Sequence, residues 1–493
     1  MRQEETLAGR RVLNASLCAV ALAALAACGT KPVGPDYAVP SQAIALQVRA
    51  DQPFAGTQDA TLAQESDRRV SSAPLPDHWW QLYRNDELNA LIAKALEHNT
   101  DLRQALANLE RVQAVEQEIA GSARPSVNVG ASPSYGHVSG LSVLSPGHVP
   151  ANAFSYSTNG AIAYQLDLFG QIRRSIESAQ AGTDAAQAAV DLARVNVAAG
   201  TARAYAAACN AGLRLDVMQH SIALQTQSAD ISQRLHDAGK VGSIDAQRAH
   251  AQVEQLKAEL PPLHAARQNA LFQLATLTGE QPQNFPREVQ QCSGAPQVVG
   301  TIPVGDGQAL LRRRPDIRQA ERQLAQATAQ IGVATADLYP KISLGLSAAS
   351  AGHMTGFGRG DTFSWSLGPL ISWSIPVNGT AHARIAQAEA SARGALARFD
   401  GTVLNALRET EIALNNYARE LDRNARLQAA RAQSAKVAEE TRRLYANGKT
   451  GYLDTLDAER VLVNADSALA ISQASLSDDQ LALFLALGGG WGP

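Results

Sequence analysis

The sequence is poor in several residue classes, and each shortage excludes a class of protein. Aromatic residues make up 5% and charged residues 18% of the 493 residues, and there are only four cysteines. So few cysteines exclude a disulfide-dense mini-protein, and 43 Lys and Arg against 46 Asp and Glu leave no basic excess for binding nucleic acid. After residue 28 no run of about 18 apolar residues could cross a bilayer as a helix. The apolar fraction of 45% contains much alanine, which favours long, closely packed helices.

Residues 1–27 predict a secretory signal peptide. A weakly positive start is followed by a mostly apolar stretch that is too short for an ordinary transmembrane helix. The stretch ends Leu-Ala-Ala before Cys28, which resembles the bacterial lipobox, in which the cysteine becomes the lipidated first residue. Cys28 is therefore the predicted site of acyl chains such as palmitate, and Gly29 after it predicts sorting to the outer membrane. A plain signal peptide with a cysteine at the cut site by chance is the alternative.

The mature chain is predicted to contain two repeats. Residues 101–132 align with 316–347 at an offset of 215, and residues 234–246 align with 443–455 at an offset of 209. The change in offset places a short insertion between the two matching pairs of segments. We therefore divide the mature chain into a lipidated, extended N-terminal segment at 28–78, a first repeat at 79–297 and a second repeat at 298–493.

Each repeat contains a segment with the pattern of a β-hairpin, at about 125–169 and about 340–377. Apolar and small polar residues alternate there with a period of two, and loops rich in Gly, Ser and Pro separate the runs. The pattern fits a half-buried sheet in water or a transmembrane barrel, and the lipid anchor and the repeat favour the barrel. Four strands cannot close a barrel, so several chains would have to pool their strands.

The rest of each repeat is predicted to be a long helical hairpin. Residues 171–238 and 380–447 contain no proline, and small and apolar residues recur at the steps of a coiled-coil seam. Each stretch would form a helix of about 100 Å. Each helix ends at a glycine-bearing turn, at about 239–243 or about 448–452, and a shorter helix returns from it. Pro261-Pro262 should kink the returning helix of the first repeat.

Cys209 and Cys292 are predicted to form a disulfide, because secreted chains fold in an oxidising compartment. Cys209 lies 30 residues before Gly239, and the returning helix runs about 35 residues from Gly242 to its end, so both points lie about 45–50 Å from the turn. Cys292 follows in the next loop. Two unpaired thiols are the alternative, since Cα atoms more than about 7 Å apart cannot be bridged.

The sequence contains no Gly-rich phosphate loop, no HExxH and no GxSxG segment. We therefore expect no enzymatic activity, no cofactor and no metal site. The basic run at 312–314 is interpreted as the solvated start of a helix, with Pro315 in the first turn and Asp316 stabilising its N-terminus.

Three segments carry a family resemblance: VGPDY at 33–37, LLRRRPDI at 310–317 and GVATADLYPKISL at 332–344. With the lipobox-like start and the repeated hairpins, they resemble the TolC-like outer membrane factors, and most of all the NodT-type lipoproteins of resistance-nodulation-division (RND) efflux systems. The resemblance implies a mixed α and β fold and a homotrimer, in which four strands per chain form a twelve-strand outer membrane barrel and the helices form a periplasmic barrel. It further implies a lipid-anchored channel of a Gram-negative cell, without a catalytic site. Such a channel exports drugs or other small solutes received from an inner-membrane RND-type pump and a periplasmic adaptor.

The resemblance also assigns roles to the ends of the helical hairpins, which in the family form a closed periplasmic entrance and bind the adaptor. The matching adaptor-contact positions are Gly239, Lys240, Gly242, Gly448, Lys449 and Gly451. Acidic rings that attract cations are implied at Asp454 and Asp457. Hydrogen bonds between helices at the gate are implied at Asp245 and Tyr445, whereas Thr450 replaces an arginine of the prototype's network. Helix capping is the alternative for Asp245 and Asp454, and simple solvation is the alternative for the two lysines.

Two other functions fit part of this pattern. A type I protein secretion duct uses the same tunnel, but the lipidation signal and the NodT-like segments favour small-solute efflux. A structural coiled-coil envelope lipoprotein needs no pore, and the alternating hairpins argue against it.

Overall fold

The computed structural model describes residues 31–47, 53–63, 69–137, 139, 146–147, 149–294, 296–298, 300–375 and 377–489. The predicted signal peptide and the acylation site Cys28 lie outside the described residues. The helices of the described chain are α1 (Ile44–Gln47), α2 (Asp86–His98), α3 (Thr100–Gly121), α4 (Gln171–Asp237), α5 (Ser243–Lys257), α6 (Leu260–Leu277), α7 (Gly307–Arg313), α8 (Pro315–Ala336), α9 (Thr380–Ala446) and α10 (Tyr452–Ala486). The strands are β1 (Val70–Ser71), β2 (Ser126–Gly136), β3 (Ala153–Leu166), β4 (Ile302–Pro303), β5 (Lys341–His353) and β6 (Phe363–Ser372).

The predicted mixture of long helices and β-hairpins is confirmed. Helices α4 and α9 each have 67 residues and occupy the two proline-free stretches. The returning helix is continuous in the second repeat, where α10 has 35 residues. In the first repeat the expected kink is a break, because α5 ends at Lys257 and α6 begins at Leu260. Pro261 and Pro262 then lie in the first turn of α6, where their missing N–H groups leave no helical hydrogen bond unmade.

The chain divides into two compact units. The first contains residues up to Val39, Glu110–Ala185 and Glu321–Ala397, and so includes the β2, β3, β5 and β6 strands. The second contains Pro40–Leu109, Ala186–Ala320 and the chain from Arg398 onward, and so includes the ends of both helical hairpins.

A four-stranded antiparallel sheet in the order β2-β3-β5-β6 forms the centre of the first unit. Pairing between β3 and β5 joins the hairpin of one repeat to that of the other. Residues that are paired across neighbouring strands form rows across the sheet. One row is apolar and exposed on all four strands: Val127, Ile162, Leu346 and Leu367. The adjacent row, the polar row, contains three polar side chains and one alanine: Asn128, Ala161, Ser347 and Ser366.

The N-terminal VGPDY segment lies against α8 in the first unit because two glycines meet. Gly34 has a φ of +84°, and a Cβ on it would lie 2.5 Å from the Cα of Gly332. The buried guanidinium of Arg174 donates to the carbonyl oxygen of Val33 at 3.2 Å and to a carboxylate oxygen of Asp36 at 2.6 Å. These contacts join the VGPDY segment to the segment that begins at Gly332.

In the second unit, acidic side chains of α9 hold the continuing N-terminal segment. Asp400 accepts from the backbone N–H of Ile44 at 2.9 Å, and Glu411 accepts from the N–H groups of Ala55 and Gly56 at 2.8 Å. Asp422, a further eleven residues along, accepts from the hydroxyl of Thr61 at 3.0 Å. An eleven-residue step is close to a whole number of turns, so the three acids lie along one face of α9.

The arginine run before α8 corrects one expectation. Pro315 is the first residue of α8 as predicted, but only Arg312 of the run is exposed, whereas Arg313 is half-buried and Arg314 is buried. Arg314 is 8% exposed and donates to the carboxylates of Asp316 and Glu409 and to the carbonyl oxygen of Ala486. Arg313 donates to a backbone carbonyl oxygen, and burial lowers the pKa of its guanidinium. These arginines are therefore structural groups of the second unit.

Cys209 and Cys292 are joined by a disulfide, with an S–S distance of 2.11 Å and a Cα–Cα distance of 4.7 Å. Cys209 is fully buried on α4. Gly212, one turn later, lets the loop approach, because a Cβ there would lie 2.0 Å from the carbonyl oxygen of Cys292. The bond attaches the loop near the end of the first repeat to the first long helix.

Within the described residues, no helix combines the length and the hydrophobicity that crossing a membrane requires.

Candidate functional site at the ends of the helical hairpins

The two long helices end in the same way. Gly239 and Gly448 have φ angles of +68° and +69°, a region that favours glycine. Each glycine N–H donates three residues back, and the N–H of the following lysine donates five residues back, at 2.7–2.9 Å. This is the Schellman arrangement, which satisfies the last carbonyl oxygens of a helix. The repeated glycine and lysine therefore build one turn twice.

The six predicted adaptor-contact residues of these turns are all exposed: Gly239, Lys240, Gly242, Gly448, Lys449 and Gly451. A Cβ on Gly239, Gly242 or Gly448 would meet no atom within 4 Å. Among the described residues, neither lysine takes part in an ion pair. The turns thus present free backbone and positive charge to their surroundings.

Helix capping by aspartate, the alternative for Asp245 and Asp454, is not observed. The N-cap residues of α5 and α10 are Gly242 and Gly451, without side-chain caps. Both aspartates lie in the first helical turn, where a negative charge is favourable. Asp454 accepts from the hydroxyl of Thr450 at 2.7 Å, and Asp245 lies 3.7 Å from the guanidinium of Arg248.

Tyr445 lies beneath the turns rather than among the exposed acids. It is 2% exposed, its ring centroid is 5.5 Å from that of Tyr452, and both pack with Leu456. Its hydroxyl donates to the hydroxyl of Ser232 at 3.3 Å, which is a hydrogen bond between α9 and α4. Burial, aided by the negative charge of Asp245, raises the pKa of Tyr445, so it stays a neutral donor.

The most buried acid of the site was not predicted from the sequence. Glu459 on α10 is 3% exposed, and its Oε1 accepts from the hydroxyl of Ser228 and from Nε of Arg442 at 2.9 Å. Its Oε2 is buried and has no partner among the described residues. Its burial could have been inferred from the sequence, because Glu459 follows Tyr452 and Leu456 at helical spacing and therefore lies on the same buried face of α10.

Side-chain hydrogen bonds connect the helices of the first hairpin to those of the second. They join α9 and α10 to α4 and α5 through the pairs Tyr445–Ser232, Tyr452–Gln225, Glu459–Ser228 and Arg460–Gln252. By contrast, Asp454 and Asp457 are exposed. Of the four predicted gate residues, Asp454 and Asp457 therefore form an exposed acidic pair, and Tyr445 belongs to the buried set that links the repeats. Asp245 belongs to neither group.

Among the described residues, no group of three His, Cys, Asp or Glu side chains could hold a metal ion.

The chain is similar in sequence and in structure to known proteins. A family model described as outer membrane efflux protein matches residues 91–280 and 307–489. Nodulation protein T of Rhizobium leguminosarum bv. viciae is 30% identical over 418 residues, 84% of this chain and 84% of that protein. Outer membrane protein OprJ of Pseudomonas aeruginosa is 29% identical over 468 residues, 93% of this chain and 96% of that protein. A solved structure of the outer-membrane channel OprN matches with a TM-score of 0.84 at 33% identity, covering 94% of this chain and 100% of that one.

Proposed function

This chain belongs to the outer membrane efflux protein family, and we propose that it is the outer membrane channel of a tripartite efflux pump. It is a TolC-like outer membrane factor of the NodT type, a channel protein and not an enzyme, as the sequence predicted. It would export drugs or other small solutes from the periplasm or an inner-membrane transporter to the exterior.

The observation that supports this proposal most strongly is that both outer edges of the four-stranded sheet are unpaired within the described residues. Within the described residues, β2 pairs only with β3, and β6 pairs only with β5. The sheet carries large exposed apolar side chains, including Val129 at 84% and Trp365 at 68% exposure. Unpaired strand edges are not tolerated in hydrocarbon. A homotrimer in which β6 of one copy pairs with β2 of the next would close a barrel of twelve strands.

The helical hairpins would form the periplasmic tunnel, with the exposed turns as its entrance. Lys240 and Lys449 are then placed to meet acidic groups of a periplasmic adaptor, which would connect the channel to an inner-membrane RND-type pump. Acyl chains on Cys28 would anchor each copy in the outer membrane.

The entrance would be closed at rest by two layers of residues. Asp454 and Asp457, exposed on α10, would form acidic rings around the threefold axis and attract cations. Beneath them, the buried bonds at Glu459 and Tyr445 hold the second hairpin against the first. Opening would require these bonds to break or exchange.

The proposal is tested by single-channel recording of the purified full-length trimer in a planar bilayer. We expect small, cation-selective openings, and we expect Asp454→Asn/Asp457→Asn to reduce the cation selectivity. Glu389→Gln, which neutralises an exposed acid on α9, is the matched control and should change neither the conductance nor the cation selectivity. If the channel conducts and Asp454→Asn/Asp457→Asn does not change its selectivity, the gate assignment is refuted but the channel function is not. No conductance from verified trimers would refute the channel.

Deletion of the gene distinguishes efflux from protein secretion. Efflux predicts that the deletion strain accumulates a fluorescent dye and that its secreted proteins are unchanged. A type I secretion duct predicts the reverse.

A further inference from the structure

A cavity of about 210 Å³ lies in the second unit, between α4, the start of α6 and α10. Most of its lining residues are apolar, and the lining also contains two serines, one positive side chain and one negative side chain. Met218, Leu263, Val463 and Ala470 belong to its apolar lining, and Arg214 and Glu259 are its two charged lining residues.

The cavity lies at a place where the two repeats differ. The returning helix of the first repeat is interrupted between α5 and α6 at residues 258–259, and Glu259 at this break lines the cavity, whereas α10 is continuous. Pro261 and Pro262 fix this break, because they cannot donate to the carbonyl groups of the preceding turn.

Arg214, which lines the cavity, is half-buried, and its guanidinium has no hydrogen-bond acceptor among the described residues. Among the described residues, its guanidinium makes no hydrogen bond and no ion pair. Its counterpart in the second repeat, 209 residues later, is Arg423, which forms an ion pair with Glu420 at 3.2 Å. The residue in the first repeat that corresponds to Glu420 is Ala211. The first repeat therefore retains the cation and lacks its acid, and the cation lines the cavity.

We propose that this cavity binds a small organic monoanion, a carboxylate carried on an apolar ring, with the carboxylate on Arg214. Arginine pairs with a carboxylate through two parallel hydrogen bonds. The cavity is of the right size for one ring, since a dry cavity of about 150 Å³ can bind benzene. Glu259 also lines the cavity and is exposed, and its negative charge would repel a ligand with two negative charges more strongly than a ligand with one, which disfavours phosphates and dicarboxylates. The site lies within one unit of one chain and does not depend on the proposed channel function.

The test uses 4-fluorobenzoate as the probe and ¹⁹F NMR of the full-length protein in detergent, with protein-free micelles as the blank. We expect saturable binding to the protein, and binding of the neutral 4-fluorobenzamide that is weaker by about tenfold or more. Arg214→Gln should weaken benzoate binding by about tenfold, because it removes the charge-assisted pair. Arg423→Gln, the same change at the matching position of the other repeat, should leave binding unchanged.

A second variant keeps the test decisive if Arg214→Gln does not fold. Ala470→Leu places a larger apolar side chain in the cavity while Arg214 is retained, and it should abolish binding. Circular dichroism and the mass of the assembly verify both variants. Equal binding by Arg214→Gln, or no saturable signal above the micelle blank, would overturn the proposal. A loss of assembly in Arg214→Gln would also overturn it, because Arg214 would then pair with an acid of a second copy.

Discussion

At the level of single residues, burial divides the acidic side chains at the hairpin ends into two groups. Asp454 and Asp457 are exposed, and their charges are solvated. Glu459, on the same helix, is buried and is compensated by Ser228 and Arg442. An acid in the first group acts through its field on ions, whereas an acid in the second acts through the bonds it accepts.

Replacing Glu459 should loosen the contact between the two hairpins. Glu459→Ala leaves the buried hydroxyl of Ser228 and the guanidinium of Arg442 without their acceptor, a cost of about 2 kcal/mol in local stability. We expect backbone amides near residues 225–232 and 445–459 to exchange with deuterium about thirtyfold faster.

Two matched variants make this result specific. Asp457→Ala removes an exposed acid from the same helix and should change the local stability by less than about 0.5 kcal/mol. Glu459→Gln retains an acceptor and should have an intermediate effect. Equal exchange in Glu459→Ala and Asp457→Ala would show that the buried bonds do not hold the hairpins together.

Asp479 on α10 makes the stability of the second unit depend on pH. Burial, followed by the charges of Glu420 and Asp478, raises its pKa from 3.8 to about 6. Between these values the folded chain binds more protons than the unfolded chain, so stability should fall as the pH rises from about 4 to about 6. Asp479→Asn cannot ionise and should be more stable at neutral pH by about 1 kcal/mol, allowing for partial solvent screening.

Thermal unfolding measured at several pH values tests this expectation. Across this window, the stability of the wild-type protein relative to that of Asp479→Asn should fall as the pH rises. Asp457→Asn, an exposed change on the same helix, should follow the wild type. Parallel pH profiles for the wild type and Asp479→Asn would refute the assignment.

At the level of helices and connecting segments, the disulfide fixes the loop near the end of the first repeat to α4. It closes a loop of 83 residues. In the loop-entropy account, a cross-link over such a loop stabilises the folded state by about 4 kcal/mol, and measured values of about 2–4 kcal/mol are typical. The N-terminal segment, by contrast, is held by hydrogen bonds to Asp400, Glu411 and Asp422.

Removing the bond should lower thermal stability without changing the fold. Cys209→Ala suits the buried position and Cys292→Ser the more accessible one, and each should destabilise the protein by about 2–4 kcal/mol. The double variant should lose no more than either single variant, because both remove the same bond. Reducing agent should lower the unfolding temperature of the wild type and leave the double variant unchanged. Additive losses would indicate that the thiols contribute by packing instead.

Elements with a clear sequence period were predictable, whereas groups that depend on distant partners were not. The strand period of two and the absence of proline over 171–238 and 380–447 were sufficient for the sheet and the long helices. Arg314 was expected to be solvated, yet Glu409 and the carbonyl oxygen of Ala486 reach it from other helices. Glu459 was missed because its partners lie on α4 and α9, and their positions depend on tertiary packing.

At the level of the whole molecule, neither repeat is complete by itself. The sheet contains one hairpin from each repeat, joined by the pairing of β3 with β5. Within the described residues, the outer edges of β2 and β6 are unpaired, and in the proposed trimer they would pair with neighbouring copies. The face of each row should then decide what a substitution does: apolar rows would contact lipid, and polar rows would contact water inside the proposed barrel.

Two adjacent residues of β6 test this directly. Leu367 lies in the exposed apolar row, opposite Leu346, whereas Ser366 lies in the polar row, where its hydroxyl is 2.8 Å from that of Ser347. Leu367→Arg would place a charge in lipid at about 2–4 kcal/mol per copy near the bilayer midplane, and three copies would multiply the effect. We expect this variant to be absent from the outer membrane fraction, whereas Ser366→Arg should insert and assemble as trimers, with a changed conductance.

If both variants insert equally, the apolar row does not face lipid, and the sheet is half-buried in water. If Ser366→Arg alone fails, the inward and outward faces are the reverse of those proposed.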